Sequence, residues 1–440
     1  MFIIPARRIF SKNELLNTKL LRAFYGWLIV MAPGLTTVTG LAQDVPLPQA
    51  AVQSLNQVPT PIRLLLPPKI YAVPGVEMNI YFDNICVVIN PANYVFDVTC
   101  AKGVQQTERW TFVPKDQDVG EFPFLLEVRD DANKVIARAE STLKVVARDA
   151  GAGRELSMLI VGDSLTGAIY PQQVVNLCKP QGNPKITLVG TTGPGGKCNG
   201  ECRHEGYGGW TARMFATHYT GIARTDGEVS PTKYKTHGSP FIYKNGEATP
   251  VLDFPRYCKE YNNGKIPDVV TIFLGCNDNF GAKDKTIDAS IDAMFKYYDI
   301  LVDMIHQARK DTKIGAVLLV PPAATQDAFG ANYQCGQTRW QYKRNQQRVV
   351  ERMVAKYGNR EAEFLYLIPA NVNLDCMNNF IMRKAPWNAA TKVEGIRLNN
   401  GVHPATEGYR QIGDTIYCWL KAQLAPVMPS GGGGQNRKGK

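Results

Sequence analysis

Five short apolar runs, at 156–161, 186–189, 269–274, 314–320 and 364–368, constrain the fold of this chain more than anything else in it. Each is rich in Val, Ile and Leu and almost free of polar residues, as a strand buried on both faces must be. Between the runs, apolar residues return at helical spacing. Ile287, Ile291, Met294, Tyr298, Leu301, Val302 and Ile305 form one stripe, and 339–357 and 406–424 read as further helices. Strands alternating with helices predict a parallel sheet covered on both faces, the α/β class. The stripes read as core. No Gly-rich phosphate cradle follows any of the five runs, which argues against a nucleotide enzyme.

Residues 60–148 follow a different rule. Val76, Met78, Ile80 and Phe82 alternate with other positions, as do Phe122, Phe124, Leu126 and Val128, with turn residues between the runs. This predicts a small antiparallel β-sandwich of immunoglobulin size. A linker at 149–155 joins it to an α/β domain at 156–426. A chain of 440 residues fits two domains, since single cores stop growing at about 250 to 300 residues. The sandwich is expected to be a packing or spacer module, with Trp110 or its tyrosines the candidates for carbohydrate contact.

The ends hold most of the +11 formal charge. Residues 1–42 carry Arg7, Arg8, Lys12, Lys19 and Arg22 against Glu14, and the tail carries Arg437, Lys438 and Lys440. No basic stripe interleaved with aromatics remains in between, so a nucleic-acid partner is not expected. The basic stretch to Arg22, the apolar run from Ala23 to Ala32 and the small residues ending at Ala42 read as an export signal over 1–42, followed by a linker at 43–59. The competing reading is an uncleaved membrane anchor. A secreted, periplasmic or cell-surface location follows from either. The Gly-rich basic tail at 427–440 reads as disordered.

Export makes disulfides permissible for the ten cysteines. Cys86 and Cys100, the only two in the β region, read either as a bridge or as two buried thiols. Cys198, Cys202 and His204 form too weak a pattern for a metal site; a loop disulfide or unpaired thiols are expected instead.

Four segments in fixed order carry the chemistry: Gly162-Asp163-Ser164-Leu165, Gly208-Gly209-Trp210-Thr211, Gly275-Cys276-Asn277-Asp278 and Gly401-Val402-His403-Pro404. The first and third follow buried strands directly, which puts Ser164 and Asn277 at the carboxyl edge of the sheet, where open α/β folds bind ligands. Ser164 is the candidate nucleophile and His403 the candidate base. The Ser164 amide, the Gly209 amide and the Asn277 side chain are candidate donors to an oxyanion. Asp163, Trp210 and Asp278 are expected to line the substrate pocket. Each segment alone also fits a turn or cap; the conjunction points to chemistry.

These residues resemble the four blocks of the SGNH (GDSL-type) hydrolase family, over roughly residues 155 to 425. The resemblance implies a flavodoxin-like α/β/α fold, serine ester hydrolysis through an acyl-enzyme, no cofactor, and the roles just given to Ser164, His403, Gly209 and Asn277. The segments Ser239-Pro240-Phe241, Leu252-Asp253-Phe254 and Gln326-Asp327-Ala328-Phe329-Gly330 are similar to exported bacterial members with a sandwich domain in front. One position departs: the Asp that the family places three residues before its His is Asn400 here. Either Asn400 orients His403, or a carboxylate such as Glu394, Glu407 or Asp414 does so, or the site is impaired. The polar insertion at 221–264, together with Tyr219, Tyr234, Tyr243 and Tyr257, suits a sugar better than a lipid chain. The expected substrate is therefore an acylated, most readily acetylated, carbohydrate. A lipase or phospholipase is the alternative enzyme, and a non-catalytic carbohydrate-binding surface protein the alternative class. The oligomeric state is not readable from the chain.

Overall fold

The computed structural model describes residues 62–426 apart from 168, 194–200, 222–236, 245, 247–248 and 333–336. The export signal, the first linker and the tail lie outside the described residues. So do Tyr234 and Cys198. The described residues belong to one compact unit, containing two hydrophobic clusters.

The smaller cluster fills a sandwich of two sheets. One has the order β1-β7-β6-β3, from β1 (Lys69–Ala72), β3 (Val95–Cys100), β6 (Gly120–Arg129) and β7 (Val135–Val145). The other has the order β2-β5-β4, from β2 (Met78–Tyr81), β4 (Val104–Gln105) and β5 (Arg109–Phe112). The alternation expected along β6 holds: Phe124, Leu126 and Val128 are buried and their neighbours are not. Along β2 it fails, because all four residues are buried. The cause is a second contact, in which Asn79 on β2 donates its backbone N–H to Asn373 Oδ1 at 2.8 Å, deep under the α/β layer. Phe82 leaves the strand altogether and opens the short helix Phe82–Ile85. The pairing is also not purely antiparallel, since β1 runs parallel to β7. Trp110 is buried against Phe124 with its indole N–H donating to the Lys102 carbonyl, so it presents no face to a sugar. Cys86 and Cys100 are free thiols, Cys86 in the core and Cys100 partly exposed.

The larger cluster surrounds a parallel sheet with the order β10-β8-β13-β14-β15, in which β9 also pairs with β8. Its strands are β8 (Glu155–Gly162), β9 (Lys185–Val189), β10 (Glu205–Gly206), β13 (Val269–Phe273), β14 (Lys313–Val317) and β15 (Leu365–Ile368). The five apolar runs supply five of these, and β10 is the one that periodicity could not reveal, being two residues long. All five residues of β13 are buried, as a central strand covered on both faces requires. Helices Ile287–Ala308, Arg339–Tyr357 and Thr406–Leu424 cover the sheet, together with Tyr170–Cys178. Between β10 and β13 the insertion forms a small hairpin of β11 (Ile242–Tyr243) and β12 (Val251–Leu252). A second hairpin, β16 (Met382–Pro386) with β17 (Glu394–Leu398), precedes the last helix.

Candidate active site

Register brings the first three segments to one edge. Gly162 at the end of β8 lies opposite Phe273 of β13 on one side and Gly206 of β10 on the other. The chain therefore leaves three adjacent strands at the same level and reaches Ser164, Gly209 and Asn277 within two to four residues. Gly162 is required here, because a Cβ would sit 2.0 Å from Thr166 Oγ1 and 2.8 Å from the Phe273 carbonyl.

Ser164 occupies a tight turn. Asp163 Oδ1 accepts from the Leu165 N–H at 2.9 Å, and the Asp163 carbonyl accepts from Thr166, so the side chain shapes the loop that presents the hydroxyl. His403 arrives from the other end of the chain. Its Nε2 lies 2.8 Å from Ser164 Oγ, within reach for direct proton transfer. For Nε2 to accept from the serine, the ring proton must reside on Nδ1. Both residues are half-buried, and burial lowers the His403 pKa below its ordinary 6.5, keeping the imidazole neutral near pH 7 and so free to accept a proton.

The His403 loop is held at both ends. Pro404 bridges Phe380, the Gly401 carbonyl accepts from Ala323, and Ala405 donates to the Asn379 carbonyl. Asn400 works from inside the loop: its Oδ1 accepts from the backbone N–H groups of Val402 at 3.0 Å and His403 at 2.9 Å. It thus fixes the backbone that carries the imidazole. None of the three alternative carboxylates makes a hydrogen bond or ion pair with His403. Glu394 and Glu407 are exposed, and Asp414 accepts from Gln173 at 2.8 Å.

The candidate oxyanion donors fall into two groups. Gly209 takes φ +79° in a turn closed by the Trp210 N–H to the Tyr207 carbonyl, with open space where a Cβ would point. Among the described residues, the backbone N–H groups of Ser164 and Gly209 donate to no protein acceptor, which leaves them available. Asn277 is different. Its Nδ2 donates to Asp163 Oδ2 and to the Trp210 carbonyl, each at 3.1 Å. Both amide protons are engaged, so Asn277 is the clamp joining the first and second segments, and an oxyanion would have to share one of those protons.

Two of the residues expected to line the pocket lie behind it. Asp163 and Trp210 are each only 1% exposed. Trp210 packs among Tyr207, Phe215 and His218; a Trp beside a Gly-Gly turn reads equally well as pocket or core, and of these neighbours Phe215 comes from the helix Ala212–Thr217, too short to stand out as an amphipathic pattern, while Tyr207 and His218 flank it. Burial pushes the Asp163 carboxyl up to about 7, with the nearby Asp278 charge adding to it. Asp278, half-buried and pushed up to about 6 by desolvation, accepts from the Ala212 N–H at the start of the helix Ala212–Thr217. It clamps the second segment to the third. The signal for that clamp is local: Thr211 caps the same helix by accepting from Met214, and a cap directly after Gly-Gly marks a helix start that needs an anion. Of the segments noted beside the four blocks, 326–330 enters the helix Asp327–Asn332, whose Phe329 packs on Gly401, where a Cβ would be 2.8 Å from the ring.

The family model described as GDSL-like Lipase/Acylhydrolase matches residues 158–416. Among solved structures, the chain is similar to a Clostridium thermocellum family 3 carbohydrate esterase at 16% identity, covering 62% of this chain and 100% of that one with a TM-score of 0.35. It is similar to a family 3 carbohydrate esterase from Talaromyces cellulolyticus at 14% identity, covering 61% and 98% with a TM-score of 0.34. A GDSL-like lipase described as putative, from Parabacteroides merdae, is similar at 12% identity, covering 62% and 99% with a TM-score of 0.31. No curated protein matches the chain.

Proposed function

The chain belongs to the GDSL-like lipase/acylhydrolase family and is a serine esterase; we propose that it removes acyl groups, foremost acetyl, from an exported or extracellular carbohydrate. The observation that carries the catalytic part is the 2.8 Å contact of His403 Nε2 with Ser164 Oγ at the sheet edge. His403 takes the hydroxyl proton as Oγ attacks the ester carbonyl. The Ser164 and Gly209 N–H groups receive the oxyanion, with Asn277 sharing a proton as charge develops. Collapse expels the alcohol, protonated by His403, and leaves an acyl-serine that water hydrolyses by the same route in reverse. Asn400 positions the base and contributes no charge.

A short acyl group on a polar substrate is supported by the half-buried Ser164 and His403 and by the polar character of the insertion. That insertion also builds a cavity of about 220 Å³ whose lining includes Tyr219, Tyr243, Tyr261, Arg256 and Glu260 and none of Ser164, Gly209, Asn277 or His403, so it speaks for the polarity of the insertion and not for the acyl site. The N-terminal leader motif supports an exported enzyme.

The test combines two substitutions with two substrate series. Ser164→Ala should abolish p-nitrophenyl acetate hydrolysis and labelling by a fluorophosphonate, and Asn277→Ala should lower kcat by about 10². Full activity of Ser164→Ala would remove the assignment. Rates that rise from acetyl to octanoyl esters would favour a lipase over a carbohydrate acetylesterase, whereas release of acetate from an acetylated polysaccharide would support the present reading.

A further inference from the structure

The β16–β17 hairpin grows from the same two chain segments that hold His403. Asn399 donates to the Ile381 carbonyl at its root, next to the Phe380–Pro404 bridge. Arg397 in β17 donates to Asp327 at 2.9 Å, on the helix whose Phe329 packs on Gly401. The arm is thus bolted to the catalytic loop, and Trp387 sits five residues beyond Met382, about 17 Å out at ~3.4 Å per residue.

Trp387 is held in place yet half-exposed. Its ring lies so close to Gly395 that a Cβ there would be 2.2 Å from it. The Arg397 guanidinium lies 4.8 Å from the ring centroid. The Trp387 backbone N–H donates to the Val393 carbonyl at 2.9 Å. Even so, 52% of the residue is exposed. An aromatic ring already fixed in one orientation can receive the C–H face of a sugar ring with little further loss of entropy. On the hairpin Arg383, Lys384 and Lys392 are exposed and form no ion pair among the described residues; Arg383 shares the face of Arg397 and Trp387, Lys392 lies in the turn, and Lys384, opposite Ile396, is on the other face. Only Glu394 opposes them on the hairpin. Fixed ring and free cations together suit a polymer that offers both sugar faces and carboxylates.

A membrane fits less well. Strand alternation puts the exposed Met382 and Ile396 on the face opposite Arg397 and Gly395, where Trp387 lies. The arm has no single apolar face to insert.

We propose that the hairpin Met382–Leu398 is a docking arm for an acidic, uronate-bearing stretch of an acylated polysaccharide. Trp387 stacks on a sugar ring, Arg383 and Lys392 meet the carboxylates, and a neighbouring ester is delivered to Ser164. The last step rests on the esterase reading; the binding does not.

Affinity electrophoresis through polygalacturonate and through neutral xylan, with the full chain carrying Ser164→Ala, tests the binding alone. Retardation by polygalacturonate, weakened by salt, is expected, together with a loss of about tenfold in affinity on adding Trp387→Ala or the double change Arg383→Gln, Lys392→Gln. In the active protein the same changes should lower kcat/KM on acetylated pectin about tenfold relative to p-nitrophenyl acetate, through KM. Polygalacturonate binding unaffected by either change overturns the arm and leaves the esterase standing. Binding through Trp387 in a chain that hydrolyses no ester supports the arm and overturns the esterase. Trp387-dependent binding to phosphatidylglycerol vesicles, with no retardation by polygalacturonate, makes the hairpin a membrane contact and also overturns the proposal.

Discussion

At the scale of single residues, the proposed roles of Ser164 and His403 tie activity to the protonation of one imidazole. Burial lowers the His403 pKa, so the active neutral form persists to lower pH, and the acidic limb of kcat/KM should have its midpoint below 6.5. Asn400 offers a direct probe of what the missing carboxylate would do. Its Oδ1 accepts two backbone N–H bonds that an aspartate would also accept, so Asn400→Asp should keep the loop and add an anion near His403. An anion favours the imidazolium, which moves the acidic limb to higher pH. A pH–rate profile that does not move would mean that position 400 acts on the backbone only. The meeting of Ser164 with His403 was legible in sequence, because their types and order suit one reaction. The engagement of Asn277 was not legible, since whether an amide faces substrate or clamps Asp163 depends on where three strands end.

At the scale of elements, helices 170–178 and 406–424 meet through a half-buried polar pair, Gln173 Nε2 and Asp414 Oδ1. Desolvation raises the Asp414 carboxyl from 3.8 to about 6. A raised acid pKa costs nothing below pH 3.8, costs more as pH climbs toward 6, and exacts its full penalty above that. Asp414→Asn keeps the oxygen that Gln173 needs and removes the charge. It should therefore stabilise the fold above pH 6, on the order of 1 kcal/mol once partial exposure is allowed for, and the gain should vanish toward pH 4. Thermal melts across that range read the effect, and a pH-independent difference would contradict it. Elements themselves were well forecast where the pattern was long: the helices 339–357 and 406–424 and the strand 156–161 stand within a residue or two of their expected bounds. Two-residue β10 and the β16–β17 hairpin were not, because short or exposed strands leave no hydrophobic period to read.

At the scale of the whole molecule, the sandwich and the α/β layer share buried polar contacts. Lys343 on the helix Arg339–Tyr357 is fully buried and pairs with Asp83 of the sandwich, which Arg339 also reaches at 2.7 Å. Asn373 Oδ1 accepts from Asn79, and its Nδ2 donates to Thr415 at 3.0 Å. Leu65, Tyr71 and Val73 from the β region join the larger hydrophobic cluster. Asp83→Ala strands a buried ammonium and should cost about 3 kcal/mol. Adding Lys343→Met should recover most of that, and both should unfold in one transition. Two separated transitions, or no rescue, would show that the sandwich is an independent spacer after all.

Sequence by itself determined the α/β class, the order of the chemical segments and the types of their side chains, because buried strands and strained turns tolerate few residues and their patterns are local. Only the tertiary structure decided which of those side chains face solvent. Asp163 and Trp210 were turned inward, Asn277 was spent on holding two loops together, and the sandwich was fused to its neighbour by buried amides and an ion pair. Each of these depends on what lies across a gap from a residue far away in the chain, and burial of that kind leaves no mark in the residue's own neighbourhood of sequence.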